Sequence, residues 1–270
     1  MADRFRIDFL GSGSSGNATL IRSGDTAVLL DCGFGPRILR QRLDEVGTGP
    51  ERLDALLITH EHGDHIAGLR SLVRVPGLSI HLTRQTAAAL GIRSDEGWDA
   101  ARVTVEAGRP FRVGALEIEP FVTAHDAGEP VGYVLRLPDG RRLGVATDLG
   151  HANRETVTAL RGCELLAIEA NHDPHMLRRG PYPAFLKRRI RSNRGHLSNS
   201  DAAGLLASVA TNRLQHLFVL HVSRTNNRPG LVRRTMEARL QKLKLDAEVT
   251  VIAQDSVCRY PAPGQQLSLF

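Results

Sequence analysis

Long apolar runs are absent from this 270-residue chain. No stretch approaches the roughly 20 residues that a membrane-spanning helix needs, and no apolar signal-peptide core follows Met1-Ala-Asp-Arg-Phe-Arg6. The expectation is a soluble, cytoplasmic protein with no membrane partner. Cysteine is scarce: Cys32, Cys163 and Cys258 are too few and too scattered for a disulfide framework, and free thiols suit a reducing compartment. No linker rich in proline, glycine and serine divides the chain, and no internal repeat is visible. One large domain over residues 1–260 is therefore expected. Tryptophan occurs once, as Trp98 in a polar stretch, where it carries no functional information. What is present is ordinary globular composition, 41% hydrophobic and 24% charged, which excludes disorder, collagen and coiled coil. An excess of 35 basic over 29 acidic residues gives a net charge of +6, which points to a polyanionic partner only where the charge is concentrated.

The apolar patterning predicts strands over 4–10, 18–22 and 26–31, the first running into the glycine-serine loop Gly11-Ser-Gly-Ser-Ser-Gly-Asn17. Further strands are expected at 54–59, 78–82, 111–122, 131–137, 142–147, 164–169, 216–221 and 247–252. Helices are expected at 37–46, 64–74, 83–90, 151–161, 201–210 and 229–243. Early strands at hairpin spacing, followed by strands alternating with helices, indicate an α/β protein with mixed sheets covered by helices. A β-rich block followed by helices occurs twice, which suggests two similar halves.

The strongest chemical signal is His60-Glu61-His62-Gly63-Asp64-His65. Three imidazoles and a carboxylate, placed where a buried strand gives way to a helix, can aim several nitrogen and oxygen ligands at one point. A solvated histidine-rich turn is the plain alternative. His125, Asp148 and His221 each follow an apolar run, so each is expected at the carboxyl edge of a sheet, where open α/β folds place their sites. Alone, any of these three reads as structural. With the first cluster they make up the ligand set that two metals sharing one carboxylate would need.

These residues resemble the metallo-β-lactamase superfamily, whose His-x-His-x-Asp-His hallmark stands here as His60 to His65, and the resemblance spans essentially the whole chain. It implies a four-layer αβ/βα sandwich and two divalent ions, zinc or manganese. One ion would take His60, His62, His125 and Asp148, and the other Asp64, His65, Asp148 and His221. Asp31, in Leu-Leu-Asp-Cys-Gly33, would hold ligand loops without touching metal. His125-Asp-Ala-Gly-Glu-Pro-Val-Gly-Tyr133 is similar to the phosphodiesterase branch that includes ribonuclease Z, and the third ligand is not the cysteine of many lactamases. Leu10 to Asn17, Glu169-Ala-Asn-His-Asp173 and Gly195-His-Leu-Ser-Asn199 together resemble the bacterial YycJ/WalJ group, associated with 5′-to-3′ exonuclease action on DNA. Homodimerisation is open by the same resemblance only.

His196 resembles the extra histidine that ribonuclease-Z-like enzymes place beside the scissile phosphate, where it would assist the leaving oxygen. A helix-capping surface histidine is the alternative. Ser198 and Asn199 are candidate phosphate contacts whose default is capping, and Ser14, Ser15 and Asn17 are candidates from the first loop. The charge is concentrated: Arg178, Arg179, Lys187, Arg188, Arg189, Arg191 and Arg194 crowd ahead of His196, with Tyr182 and Phe185 between them. Lys187, Arg188, Arg191 and Arg194 are the expected backbone-phosphate contacts. After the breaker Pro261-Ala-Pro-Gly264 the chain ends Gln266-Leu267-Ser268-Leu269-Phe270, which resembles the bacterial sliding-clamp-binding pentapeptide. A tail over 261–270 is therefore expected beyond the hydrolase domain.

Together these features predict a metal-dependent phosphodiesterase acting on nucleic acid, a 5′-to-3′ DNA exonuclease of replication or repair, with Asp64 orienting a metal-activated water. RNA is the competing polymer, a small cyclic phosphodiester the competing small substrate, and a clamp-tethered scaffold with structural metal the non-enzymatic alternative.

Overall fold

The computed structural model describes residues 5–93 and 95–262; the pentapeptide Gln266 to Phe270 lies outside them. Two seven-stranded sheets form the body. The first contains β1 (Phe5–Gly11), β2 (Ala18–Ser23), β3 (Thr26–Leu30), β4 (Ala55–Leu57), β5 (Ser79–Leu82), β6 (Arg102–Thr104) and β14 (Cys258–Tyr260), in the order β14-β1-β2-β3-β4-β5-β6. The second contains β7 (Phe111–Val113), β8 (Leu116–Val122), β9 (Val131–Arg136), β10 (Arg142–Ala146), β11 (Leu165–Glu169), β12 (His216–Leu220) and β13 (Glu248–Val251), in the order β13-β12-β11-β10-β9-β8-β7. Each sheet begins as an antiparallel meander and ends as a parallel run, β3 to β6 in one and β10 to β13 in the other. The two similar halves are these sheets.

Parallel strands are buried on both faces, and β3, β4, β11 and β12 are accordingly buried at every position. One apolar layer lies between the sheets, where Phe5, Ile7, Phe9, Ile118, Tyr133 and Phe218 meet. A second packs the first sheet against α1 (Pro36–Glu45), α2 (Gly63–Ile66), α3 (Leu69–Leu72), α4 (Arg84–Ala89) and α5 (Glu96–Ala101). A third packs the second sheet against α6 (Arg154–Leu160), α9 (Asn199–Val209) and α10 (Pro229–Leu243). Helix, sheet, sheet and helix are the four layers expected. Among the described residues, no helix is long and apolar enough to cross a membrane.

Two local expectations are corrected, and the basic segment, for which no element was expected, is helical. The helix over 64–74 is two short helices, because Gly68 donates its N–H to the Cys32 carbonyl instead of continuing the helical ladder, at a point where a Cβ would meet Leu39 and Phe34. The strand over 111–122 breaks into β7 and β8 at Gly114, whose φ of +51° turns the hairpin. The basic segment folds into α7 (Pro174–Arg179), started by Asp173 accepting from the Met176 N–H at 2.8 Å, and α8 (Ala184–Ile190). Trp98 is buried against the first sheet.

Candidate metal centre and cleft

The parallel strands deliver the site. Asp31 follows β3, His60 follows β4, Asp148 follows β10, Glu169 ends β11 and His221 follows β12, so all lie at the carboxyl edges of the two sheets. Asp31, Asp148 and His221 adopt left-handed backbone, with φ of 56°, 57° and 51°. Such conformations are uncommon outside glycine and persist only where the surroundings hold them. The loop Gly11 to Asn17 closes the floor from one side: Asn17 donates its N–H to the Asp64 carbonyl at 2.8 Å, and Gly33 donates to the Asn17 carbonyl at 2.9 Å. A Cβ on Gly33 would sit 1.7 Å from that Asp64 carbonyl oxygen, so the approach of these three backbones requires glycine.

Ligand-type atoms of His60, His62 and His125 lie within 4.8 Å of one another, and so do those of Asp64, His65, Asp148 and His221. Asp148 falls with the second group, its Oδ2 3.1 Å from His65 Nε2, and its Oδ1 reaches toward the first at 3.9 Å from His125 Nε2. Most rings are held by one nitrogen and leave the other facing the centre. His65 Nδ1 is 2.7 Å from Asp31, His125 Nδ1 3.0 Å from the Gly195 carbonyl, His60 Nδ1 3.0 Å from Thr59 Oγ1 and His221 Nδ1 3.1 Å from the Asn171 amide. Thr59 also donates its hydroxyl to Asp31, which ties two ring supports together.

The electrostatics of this floor fit divalent cations. His60 Nε2 is buried with no hydrogen-bond partner, and His125 Nε2 faces His62 Nδ1 at 3.2 Å, an arrangement of lone pairs that a cation resolves. Burial pulls His60 well below the ordinary imidazole range, and His65 beside it acts in the same direction. Burial also opposes ionisation of Asp148, yet His221 and His65 hold its carboxyl well below the usual carboxylate range. Burial likewise disfavours a charged His65, but Asp31 and Asp148 outweigh it and raise the imidazole well above its ordinary value. A mixed imidazole and carboxylate set of this kind suits divalent metal ions.

A cleft of about 340 Å³ opens above the floor. His196 lines it, and its Nδ1 lies 2.6 Å from Glu169 Oε1, while Glu169 Oε2 accepts from the Leu149 N–H at 2.7 Å. Burial lowers the imidazole, but the Glu169 carboxylate more than compensates and raises it to about 9. Ser14 lines the cleft as well.

Several expected phosphate contacts have other partners. Ser198 is the N-cap of α9 in a reciprocal pair with Asp201, and Asn199 is buried against Asn227. The Asn17 side chain is buried against Ser12, Gly13, Asp64 and His65. Ser15 donates its N–H to Gln254 Oε1, Lys187 reaches the Arg178 carbonyl, Arg191 the Lys187 carbonyl and Arg194 the His125 carbonyl, while Arg188 is exposed on α8. The basic residue that lines the cleft is Arg189, whose Nε donates to Asp126 Oδ2 at 2.6 Å. Sequence reasoning passed over Glu169, Asp126 and this place for Arg189. Glu169 carried a usable signal, a carboxylate ending an apolar strand as Asp148 does, whereas Arg189 was one of many arginines.

Fold and site define an enzyme, a metal-dependent hydrolase of the metallo-β-lactamase type. The chain belongs to the beta-lactamase superfamily, whose domain profile, described as Beta-lactamase superfamily domain, matches residues 26–221. It is 34% identical over 254 residues to Exodeoxyribonuclease WalJ of Streptococcus pneumoniae, covering 93% of this chain and 94% of that one. Exodeoxyribonuclease YycJ of Bacillus anthracis is 32% identical over 238 residues, 86% of this chain and 88% of its own. Among solved structures, the metallo-beta-lactamase fold protein YhfI from Bacillus subtilis matches with a TM-score of 0.73 over 95% of this chain and 99% of that one, at 16% identity. That likeness concerns the fold alone.

Proposed function

We propose that this protein is a metal-dependent 5′-to-3′ DNA exonuclease of replication or repair. In this reading residues 1–260 form the hydrolase domain and 261–270 a tail that binds the DNA polymerase sliding clamp through Gln266, Leu267, Ser268, Leu269 and Phe270. The observation that carries the reading is the cleft itself, with a floor of histidine and aspartate beneath a wall that presents arginine. The similarity to two exodeoxyribonucleases over most of the chain supports DNA as the polymer.

His60, His62 and His125 would hold one divalent ion and Asp64, His65 and His221 a second, with Asp148 between them. Bound there, the ions would supply Lewis acidity toward the phosphoryl oxygens and activation of water near neutral pH. The protein's own residues do the rest. Asp31 and Thr59 fix the rings of His65 and His60, so the ligand nitrogens meet the ions without rearrangement. Asp64 orients the attacking water. His196, held by Glu169, carries a proton at Nε2 for the departing oxygen of the phosphodiester.

The test is cleavage of end-labelled double-stranded DNA, with matched RNA alongside, by metal-stripped protein resupplied with Mn²⁺ or Zn²⁺. The expected outcome is release of mononucleotides or short products from the 5′ end, lost in Asp64→Ala. Intact DNA with cleaved RNA would replace this reading with a ribonuclease.

A further inference from the structure

Helix α8, which walls the cleft with Leu186, Arg189 and Ile190, sets two unlike side chains side by side. Phe185 and Arg189 are four residues apart and therefore neighbours on one helix face. Phe185 is 66% exposed and is the one exposed aromatic among the large exposed hydrophobics of the described residues, the others being Val103 and Val122. Between the two in sequence, Leu186 lines the cleft together with Arg189. Arg189 is aimed by its Nε contact with Asp126, and its two terminal nitrogens make no hydrogen bond among the described residues. A guanidinium presents paired donors in a planar fork that matches two oxygens of one phosphate. A phenyl face in water gains by stacking on a base, whatever the base.

We propose that Arg189 and Phe185 together grip one unpaired nucleotide of the substrate strand, Arg189 on its phosphate and Phe185 stacked on its base. This rests on the nucleic-acid reading above. It adds a specificity: a paired base, at a duplex end or within it, is held in the stack by its partner, so Phe185 accepts only an unpaired one. Asp126 is a positioning residue here, since it acts on the phosphate only through Arg189.

Phe185→Trp places a fluorophore at the site, and the natural Trp98 is 2% exposed, packed on the first sheet. Metal-stripped Phe185→Trp protein is titrated with a short single-stranded oligonucleotide and with a blunt hairpin of equal phosphate count whose loop is a non-nucleotide linker. The single strand is expected to quench the new emission and the hairpin to leave it unchanged. Phe185→Ala is expected to weaken single-strand binding about tenfold while hairpin binding stays the same. Arg189→Gln weakens both, and the slope of log affinity against log salt for the single strand becomes shallower by about 0.7. Single-strand affinity that ignores Phe185→Ala, or equal quenching by the hairpin, overturns the proposal even where DNA cleavage is intact. Quenching by RNA as well as DNA leaves the grip standing, and the choice of polymer then falls to the cleavage assay.

Discussion

His60, His65, His125, Asp148 and His221 on the floor of the cleft are each no more than 3% exposed, whereas the Arg189 side chain on its wall is 58% exposed and Phe185, beside it on α8, 66%. The floor is held by buried hydrogen bonds to Asp31, Thr59, Asn171 and Gly195, and by backbone that leaves few alternatives. The wall is tied to the floor by the half-exposed ion pair of Arg189 with Asp126, by the Arg194 contact with the His125 carbonyl and by the His196 N–H on the Ile190 carbonyl. An exposed ion pair contributes only about 0–1 kcal/mol, so the Arg189 side chain is held far more loosely than the rings below it. A reacting centre needs fixed geometry, and a polymer of varying sequence needs an adaptable surface; the molecule separates the two by burial.

The sharpest way to break that contrast is at Asp148. Asn tolerates the same left-handed backbone, so Asp148→Asn removes a charge and leaves the turn. Bound metal, measured by atomic emission, is expected to fall, and cleavage with it to the level of protein without metal. Glu169→Gln is a step smaller. It removes the negative charge facing His196 and leaves one acceptor oxygen where two served His196 and the Leu149 N–H, and kcat is expected to drop about 10- to 100-fold with KM nearly constant. On the wall the split reverses: Arg189→Gln is expected to raise KM several-fold, leave kcat nearly unchanged and weaken the salt dependence of binding. A wall substitution that lowered kcat as Glu169→Gln does would erase the distinction.

Acid tests the scaffold rather than the cleft. His81, stacked on Phe111, is pushed down by burial to about 4, so between pH 6.5 and that value the unfolded chain takes a proton that the folded one refuses. Stability carried by this residue is present above pH 6.5 and is lost as pH falls through the window. Urea midpoints measured across it are expected to decline more gently in His81→Asn. The smallest expected effect concerns the tail. β14 runs antiparallel to β1, with Cys258 opposite Phe9 and Tyr260 opposite Ile7, so the described chain leaves the first sheet toward the end remote from Gly11 and the cleft. Removing residues 263–270 is expected to leave cleavage of free DNA unchanged and to abolish capture by an immobilised sliding clamp.

Much of this was legible in the sequence because the floor is written in local patterns. His60 to His65 is one contiguous stretch, and Asp148 and His221 each follow an apolar run, so strand ends and ligands could be read together. The wall was not, because its meaning lies in pairings across the chain. Arg189 is distinguished from Arg188 and Arg191 only by Asp126, 63 residues away, and Asn17 turns inward because the Asp64 loop packs on it. The short strands β6 and β14 escaped for a related reason: at three residues each they carry too little periodicity, and they exist because a neighbouring strand offers them an edge.

The left-handed turns at Asp31, Asp148 and His221 have a consequence for design. Each stands within two residues of the end of a strand in a parallel run, so the fold repeats one joint three times and hangs a carboxylate from two and an imidazole from the third. Aspartate, asparagine and histidine are several-fold enriched among the non-glycine residues in such a conformation, and aspartate and histidine are also ligands for divalent ions. Backbone and metal chemistry therefore make the same demand at Asp148 and His221, and at Asp31 the carboxylate that orients His65 meets the same backbone preference. New chemistry on this scaffold is best begun there, by exchanging residues within that small alphabet while the joint itself is left alone.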